Sequence, residues 1–204
     1  FNMNYISNSV RSIAMVVANP VQGDSRVIKT AATLSKLGFR VHLFGMSKTA
    51  EESTLEGYPF SVELVTNPAP QLKKEGRWLD ASGQRNIPLF IQRLAGNIAA
   101  RMKNRSFDVL HTHDMYGLPI GAALKETVLR PSTLWIHDLH EYVEGCTHID
   151  EYIRTTMLDM EKAHIRKPDA LTTVSPILSK LIAEQYNVAE PELVLNAPRI
   201  SDYD

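Results

Sequence analysis

The stretch SIAMVVANPVQGDSRVIKTAATLSKLGFRVHLFG, residues 12–45, decides the fold. Ile13 to Ala18 is a continuous apolar run, the pattern of a strand buried on both faces of a parallel sheet. Asn19-Pro-Val-Gln-Gly23 breaks it into a loop. Asp24 follows as a helix N-cap, and Val27, Ile28, Ala31, Leu34 and Leu37 recur at helical spacing over Ser25–Leu37. Gly38 ends that helix. Arg40 to Gly45 returns to strand. A β-α-β unit with a right-handed crossover is the expected opening.

The rest of the chain repeats the alternation. Strands are expected at Tyr58–Thr66, Phe107–His111, Ser132–Ile136, Ala170–Val174 and Glu192–Leu195. Helices are expected at Ile87–Lys103, Leu118–Leu129, His148–Ile165 and Pro176–Tyr186, the last started by Ser175-Pro176. Asn67–Asn86 reads as an irregular surface loop. Strands alternating with helices predict an α/β, Rossmann-like open parallel sheet with helices on both faces. Residues 12–195 are expected to form that domain, with 1–11 a tag or disordered start and 196–204 the beginning of a linker.

The chain has 204 residues, a net charge of -1 and one cysteine, Cys146. That balance gives no bias toward nucleic acid, and a lone cysteine suits a reducing compartment, with a cytoplasmic location expected. No apolar run approaches membrane-span length, and the start lacks the basic and apolar regions of a signal peptide. Residues 71–106 hold eight Lys/Arg against two acids, while 138–161 hold seven acids. These read as solvated faces. A second reading lets the basic segment, with Trp78 and Phe90, touch the inner face of an anionic membrane peripherally.

Four of the seven histidines lie in two patches, His111-Thr-His113-Asp114 and His137-Asp138-Leu-His140-Glu141. Each follows an apolar strand, which is where a parallel sheet builds its crevice. Imidazole and carboxylate together transfer protons near neutral pH and hold hydroxyl-rich ligands. His111 and His113 alternate, so they point the same way, with His111 read as a supporting group. His137, Asp138 and His140 are placed on a neighbouring loop. Asp24 reads first as a cap. Arg26 would pair with an anionic ligand or with Asp24. The glycine-rich phosphate loops of dinucleotide and NTP sites are absent from the sequence.

Five patterns in order resemble a family-4-like GT-B glycosyltransferase. They are Asp24-Ser-Arg26-Val27 with Leu37-Gly38-Phe-Arg-Val41; Phe107-Asp108-Val-Leu-His111-Thr-His113-Asp114; Ile136-His137-Asp138-Leu-His140-Glu141; Thr172-Thr-Val174-Ser175; and Leu193-Val-Leu-Asn196-Ala-Pro198. The resemblance implies the N-terminal, acceptor-binding domain of a retaining enzyme. A missing C-terminal domain would bind the nucleotide-sugar donor. No cofactor or metal is expected in this half, and the fragment alone is expected to be inactive. The implied partner is a sugar, glycan or lipid acceptor. By position, His137, Asp138, His140 and Glu141 would be the catalytic group, and Gly23, Asp24, Arg26, His113 and Asp114 would line the acceptor side. Two rival readings stand beside it. One is a metal-dependent hydrolase using the His111/His113 and His137/His140 clusters. The other is a non-catalytic binding module of the same fold.

Overall fold

A computed structural model of the chain describes residues 11–49 and 53–197. Residues 1–10 of the expected disordered start and most of the expected linker fall outside those residues. Eight strands form one sheet in the order β3-β4-β2-β1-β5-β6-β7-β8. These are β1 (Ser12–Val16), β2 (Arg40–Met46), β3 (Ser53–Leu55), β4 (Ser61–Val65), β5 (Val109–His113), β6 (Leu134–Leu139), β7 (Ala170–Thr173) and β8 (Glu192–Leu193). All neighbours pair in parallel except β3, which runs antiparallel to β4. The helices are α1 (Ser25–Lys36), α2 (Pro68–Lys74), α3 (Ile87–Met102), α4 (Asp114–Thr127), α5 (Glu151–His164) and α6 (Pro176–Tyr186).

The pleat of β1 divides the core. Ile13, Met15 and Val17 pack with Val27 and Ala31 of α1 on one face. Ala14 and Val16 join the larger cluster built with α3, α4, α5 and α6 on the other. Successive side chains of a strand face opposite ways, so one apolar run fills both layers. The order reverses between β1 and β5, and the ends of these two strands therefore open a crevice.

Several elements depart from the sequence reading. The expected loop 67–86 contains α2, capped by Asn67 with Pro68 in the first turn. Strand β3 was not anticipated; three residues are too few to show a period. Helix α4 starts at Asp114 rather than Leu118 and carries Pro119 inside it. Strand β5 runs on to His113, and β6 runs through His137 and Asp138 to Leu139. His137 and Asp138, expected on a loop, are thus strand residues, while His140 lies just beyond β6.

Half of the cations of the basic segment are paired with carboxylates. Arg85 pairs with Asp150, Arg93 with Glu75, and Arg101 and Arg105 with Glu63. Phe90 is buried, and Trp78 packs edge-on against it with Lys73 over the indole. Among the described residues no helix is long and apolar enough to cross a membrane.

Candidate active site at the strand ends

The register of β5 on β6 sets His113 beside Asp138 and Thr112 beside His137. Aligned residues of parallel neighbours share a face, so the two histidine patches split into two groups. On the α4 side, Trp135 Nε1 donates to Thr112 Oγ1 at 2.9 Å, and Thr112 Oγ1 lies 2.8 Å from His137 Nδ1. His137 is fully buried, and a Cβ on Gly117 of α4 would meet its ring at 3.7 Å. Burial, with His113 nearby, lowers its pKa to about 3. It is a neutral ring under the sheet rather than part of the crevice wall.

On the α1 side lie His111, His113 and Asp138, and Arg26 reaches them from the first turn of α1. Arg26 grips the carboxylate with both arms, Nε to Oδ2 at 2.8 Å and Nη2 to Oδ1 at 2.7 Å. Its third nitrogen donates to the Val194 carbonyl at 2.7 Å. The partner is therefore Asp138, not Asp24 or an open ligand site. Thr172 donates to Asp138 Oδ1 at 2.6 Å, and His140 Nε2 lies 3.0 Å from Oδ2. Burial alone would raise the Asp138 carboxyl. Hydrogen bonds from His113, His140 and Arg26 outweigh it and hold the group well below the usual carboxylate range.

His140 bridges to a second acid, its Nδ1 lying 2.6 Å from Asp114 Oδ1. Burial opposes its charge, but hydrogen bonds to Asp114 and Asp138 raise its pKa to about 9. With both nitrogens engaged it is an imidazolium, not a free base. Asp114, at φ 64, occupies the left-handed region at the turn from β5 into α4. A residue held there is locally strained, and such strain concentrates at functional turns. The result is a compensated quartet of Arg26 and His140 with Asp114 and Asp138.

His111 and His113 lie behind the quartet with their rings tilted 40° to one another, centroids 4.2 Å apart. Burial lowers the pKa of both, His111 further than His113. The Nε2 atoms of His111, His113 and His137 are buried with no hydrogen-bond partner among the described residues. One ligand atom each from His111, His113 and Asp138 lie within 4.8 Å of one another. That donor set suits zinc or iron. However, both Asp138 oxygens are already taken, and a cation there would face Arg26 and the charged His140.

In front of the quartet opens a cavity of about 740 Å³ at the β1–β5 reversal. Its walls are Asn19, Gln22, Gly23 and Asp24 from the β1–α1 loop, with Asp114, His140, Glu141, Val174 and Asn196. Of the sequence candidates, Gly23, Asp24, Asp114, His140 and Glu141 meet here. Arg26 contributes to the wall with its guanidinium turned inward, and His113, His137 and Asp138 lie behind. Asp24 caps α1 through the Val27 amide and accepts from Asn19 Nδ2 at 2.8 Å. The capping reading of Asp24 is the one the geometry supports.

Other contributors were not singled out from sequence. Asn19 holds the loop through the Val21 amide and Asp24. Val21 is buried at φ 68, an outlier for a β-branched residue. Gly45 makes room for it: a Cβ there would meet Val21 at 2.6 Å and the Asn19 carbonyl at 2.8 Å. No local periodicity reports these contacts, although Asn19-Pro20 marked the loop.

The family model described as Glycosyltransferase Family 4 matches residues 24–196, from the N-cap of α1 to the cavity wall. The chain belongs to Glycosyltransferase Family 4. Solved structures of the same fold include a sucrose-phosphate synthase from Thermosynechococcus elongatus, with TM-score 0.64 and 13% identity over 93% of this chain and 90% of that one. A second structure of sucrose-phosphate synthase from that organism gives TM-score 0.70 and 15% identity over 94% of this chain and 49% of that one. The Streptomyces sp. SF2575 glycosyltransferase SsfS6, complexed with thymidine diphosphate, gives TM-score 0.51 and 14% identity over 83% and 50%. This Family 4 chain spans about half the length of the latter two. No curated protein matches it.

Proposed function

We propose that this Family 4 chain forms the acceptor side of a retaining glycosyl transfer from a nucleotide-sugar donor, with the donor held by a separate domain. The supporting observation is the cavity itself. It opens at the sheet's reversal point, it is walled by polar groups, and Glu141 stands at its rim as an exposed carboxylate beside a charge-balanced quartet. Glu141 and Asp114 would accept hydrogen bonds from sugar hydroxyls. The His140 imidazolium would hold Asp114 in place and offset charge developing near it. Because both His140 nitrogens are engaged, proton movement falls to Glu141. The cap at the start of α1 leaves little welcome for a phosphate there, since Asp24 already accepts the free amide. This favours a neutral hydroxylated acceptor on this side. The thymidine diphosphate held by SsfS6 is consistent with a nucleotide-sugar as donor.

The test is transfer by the full-length protein with nucleotide-sugars and candidate acceptors. Glu141→Gln should lower kcat/KM by about 100-fold, while Lys103→Ala leaves it unchanged. Residues 1–204 alone should not turn over. Equal activity in Glu141→Gln, or normal turnover by the isolated chain, would contradict the proposal.

A further inference from the structure

The segment between β6 and α5 brings together three donor side chains outside the quartet. One ligand atom each from Glu141, Cys146 and His148 lie within 4.8 Å of one another. The 3-10 turn Val143–Gly145 folds the chain back and sets Cys146 Sγ 4.0 Å from Glu141 Oε2. Cys146 is buried, while Glu141 and His148 are exposed. Among the described residues, Glu141 has no hydrogen-bond partner besides this thiol, and His148 has none. The nearby cation Arg154 is itself paired with Glu151. A carboxylate, a thiol and an imidazole therefore converge, held among the described residues only by the thiol–carboxylate contact.

We propose that Glu141, Cys146 and His148 form a site for a divalent cation of the zinc class at the rim of the cleft. A sulfur, a nitrogen and an oxygen donor make a borderline-soft set that favours zinc over magnesium or calcium. Bond lengths of about 2.0–2.3 Å place tetrahedral donors about 3.3–3.8 Å apart. The cluster must close by about 1 Å to meet that geometry, which exposed Glu141 and His148 achieve by rotation. On binding, the Cys146 thiol releases its proton to solvent, and the thiolate sulfur, one imidazole nitrogen and one carboxylate oxygen each donate a pair. Three protein donors leave a fourth position for water, and ligation through one carboxylate oxygen leaves the other Glu141 oxygen for the cleft. This set differs from His111, His113 and Asp138, where the carboxylate is already saturated. It also departs from the sequence expectation that this domain holds no metal.

Cobalt titration of the purified chain tests it, because thiolate ligation has its own optical signature. The expected result is one equivalent bound, with tetrahedral visible absorption and a near-ultraviolet sulfur-to-cobalt band, both bleached by one equivalent of zinc. Cys146→Ser should abolish the sulfur band. His148→Ala, at an exposed position and with an unchanged thermal midpoint, should weaken binding about 10-fold or more. Absence of saturable binding would overturn the proposal. So would binding without a sulfur band that survives Cys146→Ser and is lost in His113→Ala, since that metal would occupy the buried histidines instead.

Discussion

Arg26 sits in the first turn of α1 beside Asp24, whose carboxylate is taken by Asn19 and the Val27 amide, and its guanidinium turns inward to Asp138, 112 residues away. An arginine at a helix start reads from sequence as a surface or ligand group, because its partner lies on a distant strand. The same blindness grouped His137 with Asp138, which the structure sets on opposite faces of β6. With the strand ended at Ile136, no face could be assigned to either. Once β6 runs to Leu139, simple alternation sends His137 under the sheet and Asp138 toward α1. Arg26→Met would leave a buried carboxylate with only partial compensation from His140. It should cost about 3–5 kcal/mol in urea unfolding. Arg26→Lys should lose less, since the charge remains while the two-armed grip and the bond to Val194 go.

At the scale of elements, the alternation of strand and helix was legible because long apolar periods survive any tertiary context. What escaped was short or close-packed. Helix α2 reads as a loop in sequence because Pro68 and Pro70 open it, and α4 reads as starting late because Pro119 and Gly121 sit within it. Gly121 has a packing reason: a Cβ there would lie 2.4 Å from the buried Trp135 ring, which is fixed by its bond to Thr112. Gly121→Ala should therefore destabilise by about 1–3 kcal/mol, despite the better helix propensity. Gly96 in α3 has open space around the same position. Gly96→Ala should raise stability by about 0.5–1 kcal/mol. Thermal unfolding of the pair checks both signs. Between α5 and α6, the buried Glu161 accepts from Tyr186, and burial raises its pKa above the ordinary 4.5. The folded state thus binds the proton more tightly than the unfolded chain. This contribution is fully present below about pH 4.5 and is lost as pH rises through the folded pKa. Glu161→Gln should remove that downward slope when the unfolding midpoint is followed against pH.

For the whole molecule, the sheet order places its one reversal between β1 and β5, and the cavity lies there. That location followed from the sequence, since strands ending in ionisable groups mark such a crevice. The division of labour within it did not follow, because it depends on which face each side chain takes. His140, Asp114 and Glu141 reach the cavity, while His111, His113, His137 and Asp138 support it from behind. As proposed above, this cavity receives sugar hydroxyls. Amide NMR spectra of the chain, titrated with glucose, mannose and N-acetylglucosamine, test it most directly. Saturable shifts are expected at Gln22–Ser25, Asp114 and His140–Glu141 with at least one of these sugars, and they should be lost in Glu141→Gln. Shifts confined to other surfaces, or unchanged by that substitution, would contradict it.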